Sequence, residues 1–110
     1  LRKSYERGSL DVDDVASANM AALEWTDRAQ AGSARAFNIG SGAVSTVLEV
    51  AAGLSAVRGG PAPIVTGEFR AGDVRHITAS SERARDELEW SPTVGLAEGL
   101  RAFATAPLRA

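Results

Sequence analysis

At 110 residues the chain is near the commonest size of a single domain, and a formal net charge of −2 supplies no basic face for general nucleic-acid binding. Cysteine is absent, which excludes disulfides, thiolate catalysis and zinc–thiolate sites. Hydrophobic residues make up 45% of the chain but aromatics only 5%, so its core is built from small side chains. With burial worth roughly 25 cal/mol per Å², that predicts a marginal domain or a piece of a larger one.

No apolar run approaches the roughly 20 residues that span a bilayer. The opening LRKSYERGSL lacks an apolar signal core, so the cytoplasm is the expected location. The chain starts without methionine, which fits a segment of a longer protein. Lys3 is its one lysine. Arginine suits bidentate recognition of phosphate or carboxylate, although GC-rich codon usage produces the same bias.

Residues 1–11 are polar and glycine-punctuated and read as a loop. Asp13 is placed to cap a helix of about 14–29, with Asp14 adding negative charge where the macrodipole favours it. Val15, Ala18, Ala22 and Trp25 or Ala29 share one face of that helix. Adjacent acids at this position cap a helix far more often than they hold a metal or a proton. Residues 34–40 read as a short strand running into a Gly40–Ser41–Gly42 turn. Thr46 and Glu49 have the spacing of a capping box, followed by a helix of about a dozen residues that Gly59 and Gly60 end.

Pro61 and Pro63 make residues 61–66 an extended connector or edge strand, with Phe69 as a possible anchor. Residues 74–79 alternate as a short strand. Ser80 or Ser81 caps the next helix, and Ser91–Pro92 stops it. Leu96, Leu100, Phe103 and Ala104 mark a final amphipathic helix, ended by Pro107. Short strands alternating with three to four helices give an α/β or α+β class.

The chemistry concentrates at Arg70–Ala71–Gly72–Asp73. Arg70 offers a planar fork of donors to a diphosphate. Gly72 lets the backbone turn or a ligand approach closely. Asp73 can accept two hydroxyl hydrogen bonds, as from a ribose diol. The bland alternative is a surface turn closed by an Arg–Asp ion pair. His76, the one histidine, stands in a strand without the neighbours of a hydrolase site. Strand, Gly-Ser-Gly and helix resemble half of a phosphate-binding βα unit, but a tight turn explains them equally. There is no HExxH, P-loop or full dinucleotide fingerprint.

Four segments in register carry a resemblance: VDDVASANMAAL (12–23), FNIGSG followed by STVLEVA (37–51), TGEFRAGDVRHITASSERARDELEWSP (66–92) and VGLAEGLRAF (94–103). They resemble the C-terminal part of extended short-chain dehydrogenase/reductases. This is the NAD-dependent epimerase/dehydratase group that acts on nucleotide sugars, with UDP-glucose 4-epimerase-like enzymes and their dehydratase relatives nearest. The resemblance implies the C-terminal, substrate-binding portion of an extended Rossmann-type fold. It implies a UDP- or dTDP-sugar as ligand, with Arg70 at the diphosphate, Asp73 at the ribose and Gly72 in the turn between them. It further implies NAD for the complete enzyme.

The family's GxxGxxG loop and Tyr-x-x-x-Lys pair have no counterpart, since Tyr5 is followed four positions on by Ser9. No catalytic, cofactor-binding or metal-binding residue is therefore assigned to this chain. Gly8–Ser9–Leu10–Asp11 replaces the family's usual arginine-bearing approach to the first helix, and Glu89 replaces the glycine usual before Trp90. If that backbone is left-handed, a non-glycine costs roughly 1 kcal/mol.

The expectation is a nucleotide-sugar-binding portion, inert alone, that pairs with an N-terminal cofactor-binding half. The alternative is a stand-alone, non-catalytic binding or oligomerisation domain, or a decayed copy without a ligand. No nucleic-acid or membrane partner is expected.

Overall fold

Helix α1, Val12–Arg28, forms where alanines recur at helical spacing. Asp11, not Asp13, is its cap: the Asp11 carboxylate accepts from the Asp13 amide at 2.9 Å. Asp13 and Asp14 occupy the first turn instead. The computed structural model describes residues 6–107. The elements after α1 are β2 (Ser45–Thr46), α2 (Val47–Arg58), β3 (His76–Ile77), α3 (Glu82–Leu88) and α4 (Leu96–Thr105).

Part of the expected N-terminal loop is a strand. β1, Glu6–Arg7, is the centre of a three-stranded sheet ordered β2-β1-β3, antiparallel to β2 and parallel to β3. Residues 1–5 lie outside the described residues, as does the tail after Pro107. Each strand is two residues long. Such a sheet adds little stability of its own, so the helices carry the fold.

The helices pack in two pairs, α1 against α3 and α2 against α4. Between α1 and α3 lies the core: Ala18, Ala84, Leu88 and Trp90 are buried, with Leu10, Trp25, Phe37 and Ile39 half-buried around them. The Trp90 indole donates to Ser17 Oγ at 2.8 Å. In the second pair Leu100 of α4 packs over Gly53 of α2, where a Cβ would lie 2.7 Å from Leu100 Cδ1. Arg58 ties the pair together by donating to the Ala104 carbonyl at 2.6 Å. No residue of α2 is fully buried.

Residues 34–40 are not a strand. Phe37 and Ile39 do alternate inward around exposed Asn38. Among the described residues, however, no neighbouring strand pairs with them, and alternation without a ladder is not a sheet. Side chains pin the segment instead. Phe37 meets Trp25 edge to face at 5.7 Å, Arg35 pairs with Glu87, Arg83 donates to the Ala36 carbonyl, and buried Ser81 donates to the Gly40 carbonyl. Of the expected strand 74–79 only His76–Ile77 pairs. Residues 61–66 form a connector, and Phe69 is 61% exposed.

The Thr46–Glu49 capping box is present in both directions, and Gly59 ends α2 in the left-handed region at φ 64°. α3 ends the same way on Glu89, at φ 54°. Glutamate carries a Cβ into a conformation that glycine takes freely. Glu89→Gly is expected to stabilise the fold by about 0.5–1 kcal/mol, read from the midpoint of urea unfolding.

Candidate functional site

The three predicted ligand residues fall on a single tight turn. The Asp73 amide donates to the Arg70 carbonyl at 3.2 Å, and Gly72 has φ +89°. That is the positive φ a type II turn demands at its third position. Arg70 and Asp73 stand at the first and last positions of the turn, both exposed, and no ion pair joins them. The bland reading, a turn closed by its own Arg–Asp pair, is therefore absent. The turn holds a cationic fork and a carboxylate side by side. Neither is spent on the other.

Two clefts lie elsewhere. A cleft of about 450 Å³ opens between the start of α1 and α4, lined by Leu10, Val12, Val50, Val94, Leu100 and Phe103 among others. A smaller one of about 270 Å³ shares Ser9 and Val94–Leu96 with it and adds Ser41, Ser45 and Thr93. Neither includes Arg70, Gly72 or Asp73.

Sequence reasoning missed the role of Asp14. It is buried, and its carboxylate accepts from the Thr93 amide, the Thr93 hydroxyl and the Val94 amide, each at 2.9 Å. Burial alone would raise its pKa. The amides of Val94 and Thr93 and the Thr93 hydroxyl outweigh burial and hold the group below its ordinary 3.8. It is a clamp that fixes the chain leaving α3 onto the start of α1. The signal was an acid in the first turn on the same helical face as Ala18 and Trp25, where a capping carboxylate has no reason to be.

No protein-family model matches the chain. Individual proteins do. It is 36% identical over 101 residues to a dTDP-L-rhamnose 4-epimerase of Burkholderia thailandensis, covering 87% of this chain and 27% of that enzyme. It superposes with a TM-score of 0.81 and 34% identity on the UDP-glucose 4-epimerase of Thermotoga maritima solved with UDP-glucose, over 94% of this chain and 32% of that one. With the UDP-glucose 4-epimerase of Stenotrophomonas maltophilia, solved with NAD and a formylated UDP-arabinopyranose, the TM-score is 0.79 at 28% identity, over 89% and 29% of the two chains.

The homologues and structural neighbours of the chain are nucleotide-sugar epimerases of the NAD-dependent epimerase/dehydratase family, and it matches about a quarter of their length. Its mixed α/β fold is that of Rossmann-type extended short-chain dehydrogenases. Family structures contain NAD, and the described residues do not fit that group. The one glycine-rich turn, Gly40–Gly42, precedes α2 by four residues, and α2's N-terminus already holds an anion. The Glu49 carboxylate accepts from the Thr46 amide and hydroxyl, which holds its pKa below the ordinary value. A pyrophosphate meets a carboxylate there instead of free amides. No described helix is long and apolar enough to cross a membrane.

Proposed function

We propose that the chain is the C-terminal, substrate-side portion of an NAD-dependent nucleotide-sugar epimerase/dehydratase. In this reading it is a single unit that holds a UDP- or dTDP-sugar while a separate cofactor-binding half carries NAD and the Tyr/Lys pair. The observation that supports this most is the likeness, over nearly the whole chain, to an epimerase solved with UDP-glucose. Arg70 donates its fork to the diphosphate, Asp73 accepts from the ribose hydroxyls, and Gly72 gives the turn that sets them side by side. These residues bind and orient; they move no hydride or proton. The chain is inert alone, since neither GxxGxxG nor Tyr-x-x-x-Lys occurs in it.

Calorimetric titration with UDP and dTDP tests the site. Saturable binding weakened about tenfold or more by Arg70→Ala is expected, the loss of one charge-assisted contact. Equal binding by wild type and variant would remove Arg70 from the site. NAD-dependent turnover of UDP-glucose by the purified chain would contradict the inert reading.

A further inference from the structure

Phe69 differs from the other described aromatics. Trp25, Phe37 and Trp90 belong to the core between α1 and α3, and Phe103 lines the cleft between α1 and α4. Phe69 lines neither cleft and is 61% exposed. It immediately precedes Arg70, so the two Cα atoms are about 3.8 Å apart. The chain enters the Arg70–Asp73 turn at Phe69 and leaves it at Val74, which is 55% exposed. Single exposed apolar residues are ordinary on a protein surface. Two that flank one polar turn make an apolar step beside a cationic fork and a carboxylate.

The backbone leaves room over that step. Glycine bends the chain on either side of Phe69, with φ +79° at Gly67 and +89° at Gly72. A Cβ built on either would meet nothing within 4 Å. The Thr66 hydroxyl oxygen accepts from the Glu68 amide at 3.3 Å, which fixes the bend ahead of Phe69.

Chemistry selects the occupant. Arg70 calls for an anion and Asp73 for hydroxyl donors, and a turn holds its first and fourth Cα atoms within about 7 Å of one another. A ligand laid across both that also covers Phe69 and Val74 must carry a flat, weakly polar face next to its hydroxyls. A nucleobase on a ribose supplies that face; a sugar phosphate does not. We infer, on the reading of this turn as the nucleotide site, that Phe69 is a specificity-determining residue whose ring stacks on the nucleobase, with Val74 extending the platform. Arg70, Asp73 and Phe69 then divide a nucleotide between them as phosphate, ribose and base. Stacking reads the π-face, which every base has, and not the hydrogen-bonding edge. The platform therefore selects nucleotides over sugar phosphates and leaves uracil and thymine nearly equal.

UMP and ribose 5-phosphate differ only in the base, so calorimetric titration of the chain with each isolates the platform. Wild type is expected to bind UMP about tenfold or more tightly than ribose 5-phosphate. Phe69→Ala should abolish that preference while leaving the affinity for ribose 5-phosphate unchanged, and Phe69→Tyr should keep it. Arg70→Ala should weaken both ligands by the same factor. Both positions are exposed, so all three variants should keep the wild-type circular dichroism spectrum and Tm. Equal binding of the two ligands by wild type, or a preference that survives Phe69→Ala, would overturn the platform and leave the turn's phosphate and ribose contacts standing. Binding of neither ligand would instead remove the nucleotide site itself, and the platform with it.

Discussion

Replacing Trp90 with alanine is expected to cost about 4 kcal/mol, enough to leave a marginal domain largely unfolded at room temperature. Trp90 is 5% exposed and is by far the largest of the four side chains of the buried cluster, the others being Ala18, Ala84 and Leu88. Alanines cannot move in to fill the gap it leaves, so the cavity stays open. Trp90→Phe keeps most of the apolar contact and loses the indole hydrogen bond to Ser17, for an expected cost of about 1 kcal/mol. Urea unfolding followed by far-ultraviolet circular dichroism separates the two. A small effect of Trp90→Ala would mean that the α1–α3 packing does not hold the fold.

Asp14→Ala is expected to cost about 3 kcal/mol. The carboxylate answers three donors at once, and truncation leaves the Val94 amide half-buried without an acceptor. The variant also releases the segment that joins α3 to α4, so the second helix pair loses its tether to the first. The pH dependence follows from the depressed pKa of Asp14. A carboxyl held lower in the folded than in the unfolded chain contributes stability that is complete above the unfolded value, near 3.8. That contribution is lost as pH falls through the folded value. Wild type should therefore lose its margin over Asp14→Asn below about pH 4, while the margin stays constant at neutral pH. A margin that persists undiminished in acid would show that Asp14 is not the clamp described.

What the sequence makes legible is whatever is local. The Thr46–Glu49 box, the Gly59 stop and the Arg70–Asp73 turn each need only residues within a few positions of one another, and each is where the pattern puts it. The left-handed cap at Glu89 was legible as a condition, and the backbone meets it. What was not legible depends on distant partners. Phe37 and Ile39 have strand alternation, but a strand exists only where another chain segment pairs with it. Glu6–Arg7 looks like loop and is a central strand because residues 45–46 and 76–77 flank it. Asp14 reads as a cap until the segment 79 residues further on supplies its donors.

The exposed turn at 70–73 is proposed as the nucleotide-facing element of a substrate-side lobe. An amide-resolved NMR titration of the isolated chain with UDP tests it most directly. Saturable shifts that cluster on residues 70–73 and vanish in Arg70→Ala are expected. Saturable shifts centred instead on the cleft between α1 and α4, or a well-dispersed spectrum that does not respond at all, would contradict it.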